Sequence, residues 1–183
     1  VFLASEAYAK KHAERNGLKL SEIPRIKGWG HNTARLRFVD KVFESRDNEF
    51  VLPHVRSTIT SAQKRAGIAD TGGIDGIETH DCFTVAELIE YEAMGLTPKG
   101  QGARAILEGW TQKDGKLPVN PSGGLKSKGH PIGATGVSMH VMSAKQLTGT
   151  AGAIQVKDAK LAGIFNMGGT AVANFCSILE PLR

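Results

Sequence analysis

The chain has 183 residues with a formal net charge of +5, and 40% of its residues are hydrophobic. This length and composition are typical of one soluble globular domain with a hydrophobic core. The basic residues are dispersed, whereas a nucleic-acid-binding arm carries a block of like charge, so we expect no nucleic-acid partner. The mild basic excess is compatible with an anionic small substrate. No apolar run is long enough to span a membrane, and no signal peptide is evident.

The glycine and cysteine contents narrow these expectations. Glycine makes up 22 of the 183 residues, against an average usage of about 7%, which indicates tight loops or places where the backbone approaches a ligand closely. Cys82 and Cys176 form no disulfide or metal-binding pattern, which favours a reducing, intracellular setting. The chain begins at Val1 inside an apolar run, so we expect it to be part of a longer protein.

The first part of the chain alternates predicted strands and helices. Residues 1–4 (VFLA) are expected to form a short buried strand, followed by a helix over 6–15 that Ser5 caps. Residues 23–33 predict an extended strand. Residues 34–52 remain ambiguous and contain a polar turn.

The middle of the chain continues this alternation. A helix is predicted over 53–67, beginning at a proline and ending at a glycine. Residues 73–82 (GIDGIETHDC) predict a buried strand with a polar tip. Thr84 and Glu87 have the spacing of a capping box, which predicts the start of the next helix. Its buried face is expected to contain Val85, Leu88, Ile89 and Leu96.

The last part contains two more helices and a hairpin. Helices are predicted over 102–110 and 136–149, on either side of the glycine-rich loop 120–136. The buried face of the second is expected to contain Val137, His140, Val141, Ala144 and Leu147. Residues 161–169 and 171–180 predict two strands joined by a glycine turn.

This order of elements predicts the fold class. We expect a three-layer α/β/α domain, built on a mixed, mostly parallel five-stranded sheet with an antiparallel last strand. We expect a single domain over residues 1–183, because no linker or low-complexity tract interrupts the pattern.

Two motifs that could indicate a nucleotide or metal site are incomplete. The stretch GLKSKG (124–129) begins like a phosphate-binding loop, but His130 and Pro131 follow where lysine and serine or threonine are needed. His80 and Cys82 form an H-x-C pair without a second ligand pair at zinc spacing. The sequence therefore favours neither a nucleotide hydrolase nor a metal site.

The segment 79–83 (THDCF) is a candidate site for acid–base chemistry. It lies between a predicted strand and a predicted helix, where open α/β sheets bind ligands. A helix N-terminus favours a thiolate at Cys82, whereas Asp81 opposes one, and a small side chain packed under the helix is the alternative. His130 lies in a second glycine-rich loop, and the two loops together favour the functional interpretation. Cys176 lies within a predicted strand and is interpreted as a buried, inert thiol.

The other histidines and two loop lysines carry weaker signals. Those histidines that lie in predicted helices are interpreted as structural or solvated: His12, His54 and His140. His31, at a strand end, is left open. Two lysines of the glycine-rich loop could bind an anionic ligand or simply be solvated: Lys126 and Lys128.

Both loops resemble those of one family. The stretch NPSGGLKSKGHPIGATG (120–136) resembles the GHP loop of the thiolases, and HDCF (80–83) resembles the sterol-carrier-protein-2 type of that family. The similarity covers essentially the whole chain, but only as the C-terminal half of a thiolase. It implies that the N-terminal half and its inserted loop domain lie outside this sequence.

The resemblance implies a role for each candidate residue. His130 matches the histidine that activates a nucleophilic cysteine, which belongs to the N-terminal half. His80 and the backbone N–H of Gly168 match oxyanion-hole donors, and Cys82 matches the acid/base cysteine of this subtype. Asn166 stands where most thiolases carry a second cysteine, which agrees with HDCF supplying that thiol instead.

The resemblance also implies a reaction. That reaction is CoA-dependent thiolytic cleavage of a 3-ketoacyl-CoA, or the reverse Claisen condensation, in fatty-acid or other lipid metabolism. It implies an acyltransferase with no metal or organic cofactor, a CoA thioester as substrate, a homodimeric or tetrameric assembly, and no activity for the isolated chain. The expected location is the cytoplasm, or a peroxisome or mitochondrion in a eukaryote.

Three alternatives remain open. A 3-ketoacyl synthase also uses a cysteine and two histidines, which His80 and His130 could supply, although Cys82 two residues after His80 favours the thiolase. The other two alternatives are a non-catalytic, thiolase-like protein that binds acyl-CoA or lipid, and a half-domain with a purely structural role.

Overall fold

The computed structural model describes all of residues 1–183. The helices are α1 (Glu6–Asn16), α2 (Phe38–Arg46), α3 (Pro53–Ala66), α4 (Thr84–Ala93), α5 (Gly102–Leu107), α6 (Gly124–Lys128) and α7 (Thr135–Leu147). The strands are β1 (Pro24–Thr33), β2 (Gly76–Glu78), β3 (Ala162–Gly168) and β4 (Ala173–Pro181). None of the helices combines the length and the apolar character that crossing a membrane would require.

The four strands form one mixed sheet in the order β1-β4-β3-β2. β4 is antiparallel to both β1 and β3, and β2 is parallel to β3. The α/β class is therefore as predicted, but the sheet has four strands rather than five. Two of its three pairings are antiparallel because the reversed strand lies inside the sheet, between β1 and β3, and not at its edge.

The predicted strand over residues 1–4 is absent. Val1, Phe2 and Leu3 lie in irregular chain and are 74%, 100% and 83% exposed. An apolar run becomes a strand only where a neighbouring strand pairs with its backbone and a buried surface covers its side chains. Residues 1–4 have neither a pairing strand nor a buried surface, so the strand predicted from their apolar composition is wrong.

Helices cover the two faces of the sheet. Along β4, Cys176 and Ile178 belong to the larger buried cluster, which includes α3. Leu179 belongs to the second cluster, together with Met139 and Leu147 of α7. Because neighbouring residues of a strand point to opposite faces, α3 and α7 lie on opposite sides of the sheet.

Two glycines of β1 allow α3 to pack unusually close to the sheet. A Cβ atom on Gly30 would lie 2.0 Å from the carbonyl oxygen of Thr58, and one on Gly28 would lie 2.3 Å from that of Ala62. No side chain fits in either place, so the helix backbone rests directly on the strand.

Local signals at helix ends predicted two helices correctly. Ser5 caps α1 by accepting a hydrogen bond from the backbone N–H of Tyr8 at 3.3 Å, and Gly17 ends the helix with a φ of 63°. α3 begins at Pro53, and Gly67 follows it with a φ of 69°. The predicted hairpin of β3 and β4 is also confirmed.

The capping box predicted for α4 is wrong. Phe83 is the N-cap residue and makes no side-chain capping bond, and Thr84 is already the first helical residue. Glu87 instead accepts hydrogen bonds from Tyr91 at 2.5 Å and from Lys126. Glu87 is therefore engaged by a residue one turn further along its own helix and by a lysine of α6, not by the backbone at the start of α4.

The predicted buried faces of α4 and α7 are also partly wrong. In α4, Val85 is 60% exposed, whereas Glu90 is fully buried. In α7, Val137 is 51% exposed, and the buried face consists of Thr135, Met139, Ser143, Gln146 and Leu147. Two of these buried polar side chains have partners outside their own helix: Glu90 accepts a hydrogen bond from Thr79, and Gln146 bonds to the backbone of Ile154 and Val156.

The region left ambiguous over 34–52 contains α2, whose orientation is unusual. None of its residues is fully buried. Its apolar residues form the exposed side, and its polar residues, apart from Arg46 at the end, are half-buried. The exposed apolar residues are Phe38, Val39, Val42 and Phe43, and the half-buried polar residues are Asp40, Lys41, Glu44 and Ser45. Hydrophobic periodicity cannot reveal such a helix because it assigns the apolar side to the core.

Candidate active site

Three candidate side chains meet where β2 and β3 end. His80 is buried, and its ring lies edge-on to that of His130 with the ring centroids 5.0 Å apart. Nδ1 of His80 lies 2.6 Å from Oδ1 of Asn166. Glu78 pairs with Ile164 in the parallel register, so the residues two positions further along each strand lie side by side. The carboxyl ends of parallel strands are the usual ligand-binding edge of such a sheet.

The loop that carries His130 begins as an extra backbone segment beside β2. Ile77 donates its N–H to the carbonyl of Pro118 at 2.8 Å, and Asn120 donates its N–H to the carbonyl of Ile77 at 2.7 Å. Asn120 also accepts the N–H of Thr79 through its side-chain oxygen at 2.7 Å. These bonds hold the start of the loop against the segment that leads to His80.

Asp81 joins the same two segments by a buried contact. Its Oδ1 accepts the backbone N–H of Leu125 at 2.7 Å, at the start of α6. The carboxylate fills the space beside Gly124, where a Cβ atom would lie 2.2 Å from Oδ2 and where φ is 62°. Only glycine fits that position. Asp81 is thus a structural link between the loops, a role that the sequence did not suggest.

The two loop lysines are paired with carboxylates of the chain itself. Lys128 lies 3.3 Å from Glu78, which also accepts a hydrogen bond from Ser122 at 2.5 Å. Lys126 contacts Glu87 directly and lies 3.7 Å from Asp81. Two lysines therefore face three carboxylates, so this loop offers no surplus positive charge to an anionic ligand.

Cys82 is a half-buried free thiol that packs against both buried clusters. Burial raises the pKa of this thiol, and the carboxyl of Glu90, when ionised, raises it further. Cys82 is therefore a protonated thiol at neutral pH. This favours a proton donor over a ready thiolate nucleophile.

Glu90 lies behind this segment and was missed in the sequence. It is completely buried, and its Oε2 accepts a hydrogen bond from the Thr79 hydroxyl at 2.5 Å, while its Oε1 has no partner. Burial raises the pKa of this carboxyl well above its usual value. Its position among apolar residues of α4 is a signal that could have drawn attention to it.

His80 is held in its neutral form. Burial is the largest cause and lowers its pKa; the hydrogen bond with Asn166 opposes this in part, the neighbouring His130 lowers the pKa further, and Asp81 raises it slightly. A neutral imidazole carries one N–H donor and one acceptor nitrogen. The group bonded to Nδ1 of His80 therefore determines whether Nε2 donates or accepts a hydrogen bond.

Gly168 ends the strand that carries Asn166. It lies two residues further along β3, on the same face of the sheet and about 7 Å along the strand. The turn that follows has left-handed φ values at Gly169, Thr170 and Ala171. The Lys41 side chain donates a hydrogen bond to the carbonyl of Thr170 at 2.7 Å. No hydrogen bond joins Gly168 to either histidine.

The second cysteine faces the other side of the sheet. Cys176 is 7% exposed and packs in the cluster that includes α3, and burial raises its pKa to about 12. Its neighbour Ser177 faces α7 instead, where its hydroxyl lies 3.2 Å from Nε2 of His140.

Two other histidines, His140 and His31, have partners other than His80 and His130. Nδ1 of His140 lies 2.6 Å from the carbonyl oxygen of Gly136. The exposed ring of His31 stacks on that of Phe175, with the centroids 4.5 Å apart.

The comparisons with known proteins identify the family. Residues 38–181 match the family model described as "Thiolase C-terminal domain-like". The chain therefore belongs to the thiolase C-terminal domain family, and the resemblance inferred from the two loops is confirmed.

Similar proteins include enzymes and carrier proteins. An acetyl-CoA acetyltransferase of Methanothermobacter thermautotrophicus is 41% identical over 121 residues, which cover 65% of this chain and 32% of that protein. Sterol carrier protein 2 of Bos taurus is 53% identical over 95 residues, 52% of this chain and 18% of that protein. The benzoylsuccinyl-CoA thiolase subunit BbsB of Thauera aromatica is 44% identical over 81 residues, 44% of this chain and 21% of that protein. The chain thus spans about a third or less of these relatives.

A solved structure of an Ltp2-ChsH2(DUF35) aldolase has the same fold. The TM-score is 0.70, and the match covers 86% of this chain and 39% of that chain. At 19% sequence identity this likeness concerns the fold alone.

Proposed function

We propose that this chain supplies the acid–base and oxyanion-binding half of a thiolase active site. The reaction is CoA-dependent thiolytic cleavage of a 3-ketoacyl-CoA, or the reverse condensation of acyl-CoA units. The observation that carries the proposal is the pair of histidines, His80 and His130, whose rings lie 5.0 Å apart, with Cys82 two residues after His80 in the chain. The nucleophilic cysteine belongs to an N-terminal half that this sequence does not include.

His130 acts as the base in the first step. In the cleavage direction it takes the proton of the nucleophilic thiol, and the thiolate attacks the 3-keto carbon. The bond from that carbon to the α-carbon breaks, and its electron pair passes to the α-carbon and the adjacent thioester oxygen as an enolate. Cys82 then gives its proton to the α-carbon, which releases acetyl-CoA (or propionyl-CoA), while the shortened acyl group stays on the nucleophilic cysteine. The protonated state of the Cys82 thiol supports this role.

The second step returns both groups to their starting states. The Cys82 thiolate takes the proton of an incoming CoA thiol, which attacks the acyl group on the enzyme. The nucleophilic cysteine leaves and regains its proton from His130. The chemistry is carried by side chains and CoA, so we propose no metal or organic cofactor. A homodimer or tetramer is the assembly we propose for the complete enzyme.

His80 and the backbone N–H of Gly168 stabilise the negative oxygen atoms of this reaction. A neutral His80 can donate from Nε2 only if its Nδ1 is unprotonated. As placed, Oδ1 of Asn166 faces Nδ1 of His80 at 2.6 Å, an arrangement in which Nδ1 carries the proton. The proposed role therefore requires the amide to turn its N–H₂ end toward Nδ1, which the nearly equal shape of its two ends allows. In that orientation Nε2 of His80 is the donor toward the substrate.

A lipid- or acyl-CoA-binding role without catalysis is a second candidate. It is favoured by relatives that carry the names sterol carrier protein 2 and, in Caenorhabditis elegans, non-specific lipid-transfer protein-like 2, the latter 52% identical over 92 residues. The two candidates differ in turnover, because a carrier binds acyl-CoA without exchanging its α-protons.

The test uses this chain joined to an N-terminal half that carries the nucleophilic cysteine. Cys82→Ala should still become acylated by acetyl-CoA, but α-proton exchange should fall by about 10²–10⁴-fold, the usual contribution of a proton-transfer group. His130→Ala should fail at acylation itself. Mass spectrometry of the acyl-enzyme and deuterium exchange at the α-carbon measure the two steps separately.

Two controls make this test decisive. Cys176→Ala removes a thiol on the far side of the sheet, so both steps should continue near the wild-type rate. The chain without its N-terminal half should not turn over. Wild-type enzyme that binds acyl-CoA but performs neither step would favour the carrier, and equal rates for Cys82→Ala and wild type would refute the role of Cys82.

A further inference from the structure

We infer that Thr135 is a positioning residue that fixes the tautomer of His130. In this arrangement Nδ1 of His130 carries the proton, and Nε2 keeps the lone pair that a base needs. The catalytic meaning of this inference rests on the function proposed above. The arrangement of protons itself does not, and it can be measured on the chain alone.

Two hydrogen bonds of one hydroxyl group determine the arrangement. Oγ1 of Thr135 lies 2.7 Å from Nδ1 of His130 and 3.2 Å from the carbonyl oxygen of Pro131. The carbonyl oxygen can only accept, whereas Nδ1 can accept or donate according to the tautomer, so both contacts are hydrogen bonds at once only if the hydroxyl gives its single proton to the carbonyl. The hydroxyl oxygen then turns a lone pair toward the ring, and Nδ1 of the ring is the donor. Its Nε2 is then unprotonated in the neutral ring.

The contact is local and rigid, because it lies within a single turn of the chain. Thr135 is buried at 4% exposure and is the first residue of α7. Its backbone N–H and that of Ala134 both donate to the carbonyl of Pro131, at 3.1 and 2.9 Å. The threonine is thus fixed by its own backbone, and it needs no part of another chain to hold the histidine.

The histidine itself is exposed, and besides this hydrogen bond its ring lies edge-on to that of His80. Only one of the two neutral tautomers of His130 can take a proton from a thiol through Nε2. Without a partner the neutral ring would divide its population between the tautomers, with Nε2–H in excess, as in free histidine. Thr135 removes this competition before any substrate binds.

The direct test is nitrogen-15 NMR of the histidine rings in the 183-residue chain, at about two pH units above the ordinary histidine pKa of about 6.5. Wild type should show a protonated Nδ1 and an unprotonated Nε2 at His130. Thr135→Val keeps the shape of the side chain but lacks the hydroxyl, so the Nε2–H form should become the major one. Thr135→Ser keeps the hydroxyl and should restore the wild-type signals.

The chain offers two matched controls. Nδ1 of His140 lies 2.6 Å from the carbonyl of Gly136, so it must be protonated, and its signals should be the same in every variant. The hydroxyl of Thr148 also bonds to a carbonyl four residues earlier, that of Ala144 at 3.0 Å, at the other end of α7. Thr148→Val therefore tests the loss of such a bond without a histidine, and it should leave His130 unchanged.

Activity provides the second readout, in the chain joined to its N-terminal half. Thr135→Val should slow acylation about tenfold, less than the 10²–10⁴-fold expected for loss of the base itself. Thr135→Ser should acylate at nearly the wild-type rate. The step that depends on Cys82 should be unaffected in both variants.

The results separate three statements: the tautomer of His130, the positioning role of Thr135 and the proposed thiolase function. A protonated Nε2 at His130 in wild type, or an unchanged tautomer in Thr135→Val, overturns the inference whatever the activity. A shifted tautomer with unimpaired acylation overturns the positioning role. If wild-type enzyme shows no acylation at all, the proposed thiolase function fails, and the NMR result still decides what Thr135 does to the ring.

Discussion

Glu90 is a completely buried acidic side chain that bonds to Thr79, next to the candidate site. Its pKa is higher in the folded chain than the ordinary value of about 4.3 for an unfolded one. The folded state therefore holds the proton more tightly than the unfolded state does. It follows that the stability linked to Glu90 is complete below the unfolded pKa and is lost as pH rises toward the folded one.

Glu90→Gln should remove this dependence on pH. Glutamine is neutral at every pH, and its amide oxygen can still accept the hydrogen bond from Thr79. The free energy of unfolding of the variant, relative to wild type, should rise from about pH 4.5 to neutrality, by at most about 1.4 kcal/mol per pH unit for one proton. Urea unfolding at a series of pH values measures it.

A surface substitution provides the control for loss of one negative charge. Glu108→Gln removes an exposed carboxylate that pairs with Arg104 on the outside of the molecule. It should change the stability by less than about 1 kcal/mol, as surface ion pairs do. A stability difference for Glu90→Gln that is the same at every pH would contradict a neutral Glu90.

The packing of α3 on β1 depends on the absence of two side chains. Gly30→Ala would place a Cβ atom 2.0 Å from the carbonyl oxygen of Thr58, which is backbone and cannot rotate away. The helix must move off the strand, and we expect a loss of at least about 1–3 kcal/mol, the usual cost of overpacking. The midpoint of urea unfolding measures this loss.

Gly76→Ala is the matched substitution in another strand of the same sheet. The nearest atom to its added Cβ would be the carbonyl oxygen of Pro118 at 3.6 Å, which is ordinary contact. Because alanine restricts the unfolded chain more than glycine does, this change should be neutral or stabilising by up to about 1 kcal/mol. Equal unfolding midpoints for Gly30→Ala and wild type would show that α3 does not lie as close to β1 as described.

At the scale of the whole molecule, the same residue type contributes very differently to stability. Phe165 on β3 is 1% exposed, whereas Phe43 on α2 is 60% exposed. Phe165→Ala should cost about 3–5 kcal/mol, the usual range for a buried phenylalanine. Phe43→Ala should change the free energy of unfolding by no more than about 0.5 kcal/mol, because the side chain is already in water. Comparable losses in the two variants would mean that something covers α2 in solution.

The sequence predicted those features of the fold that have local causes. The ends of α1 and α3 follow from a serine cap, a proline and two glycines, all within a few residues of the helix end. The position of β4 inside the sheet has no local cause, since it depends on pairing with β1 far away in the chain. The outward apolar side of α2 likewise depends on what surrounds the helix.

In the candidate site, too, the features with local causes could be predicted and the long-range contacts could not. His80, Cys82 and His130 could be selected from two short motifs. The contacts that hold them could not, because they join residues that are far apart, such as His80 with Asn166 or Asp81 with the start of α6. Thr135 is the exception, since it lies only five residues after His130.

The place of β4 in the sheet has a consequence for the synthesis of the protein. A ribosome adds roughly 5–20 residues per second, and β4 emerges after every other strand, although it lies between β1 and β3. Until then, β2 and β3 can pair, but β1 lacks the neighbour that joins it to them, and the facing edges of β1 and β3 stay open. Open strand edges recruit other chains. The nascent chain is therefore most prone to aggregation just before β4 appears. A product that stops short of Ala173 lacks β4, so β1 cannot join β2 and β3 in one sheet.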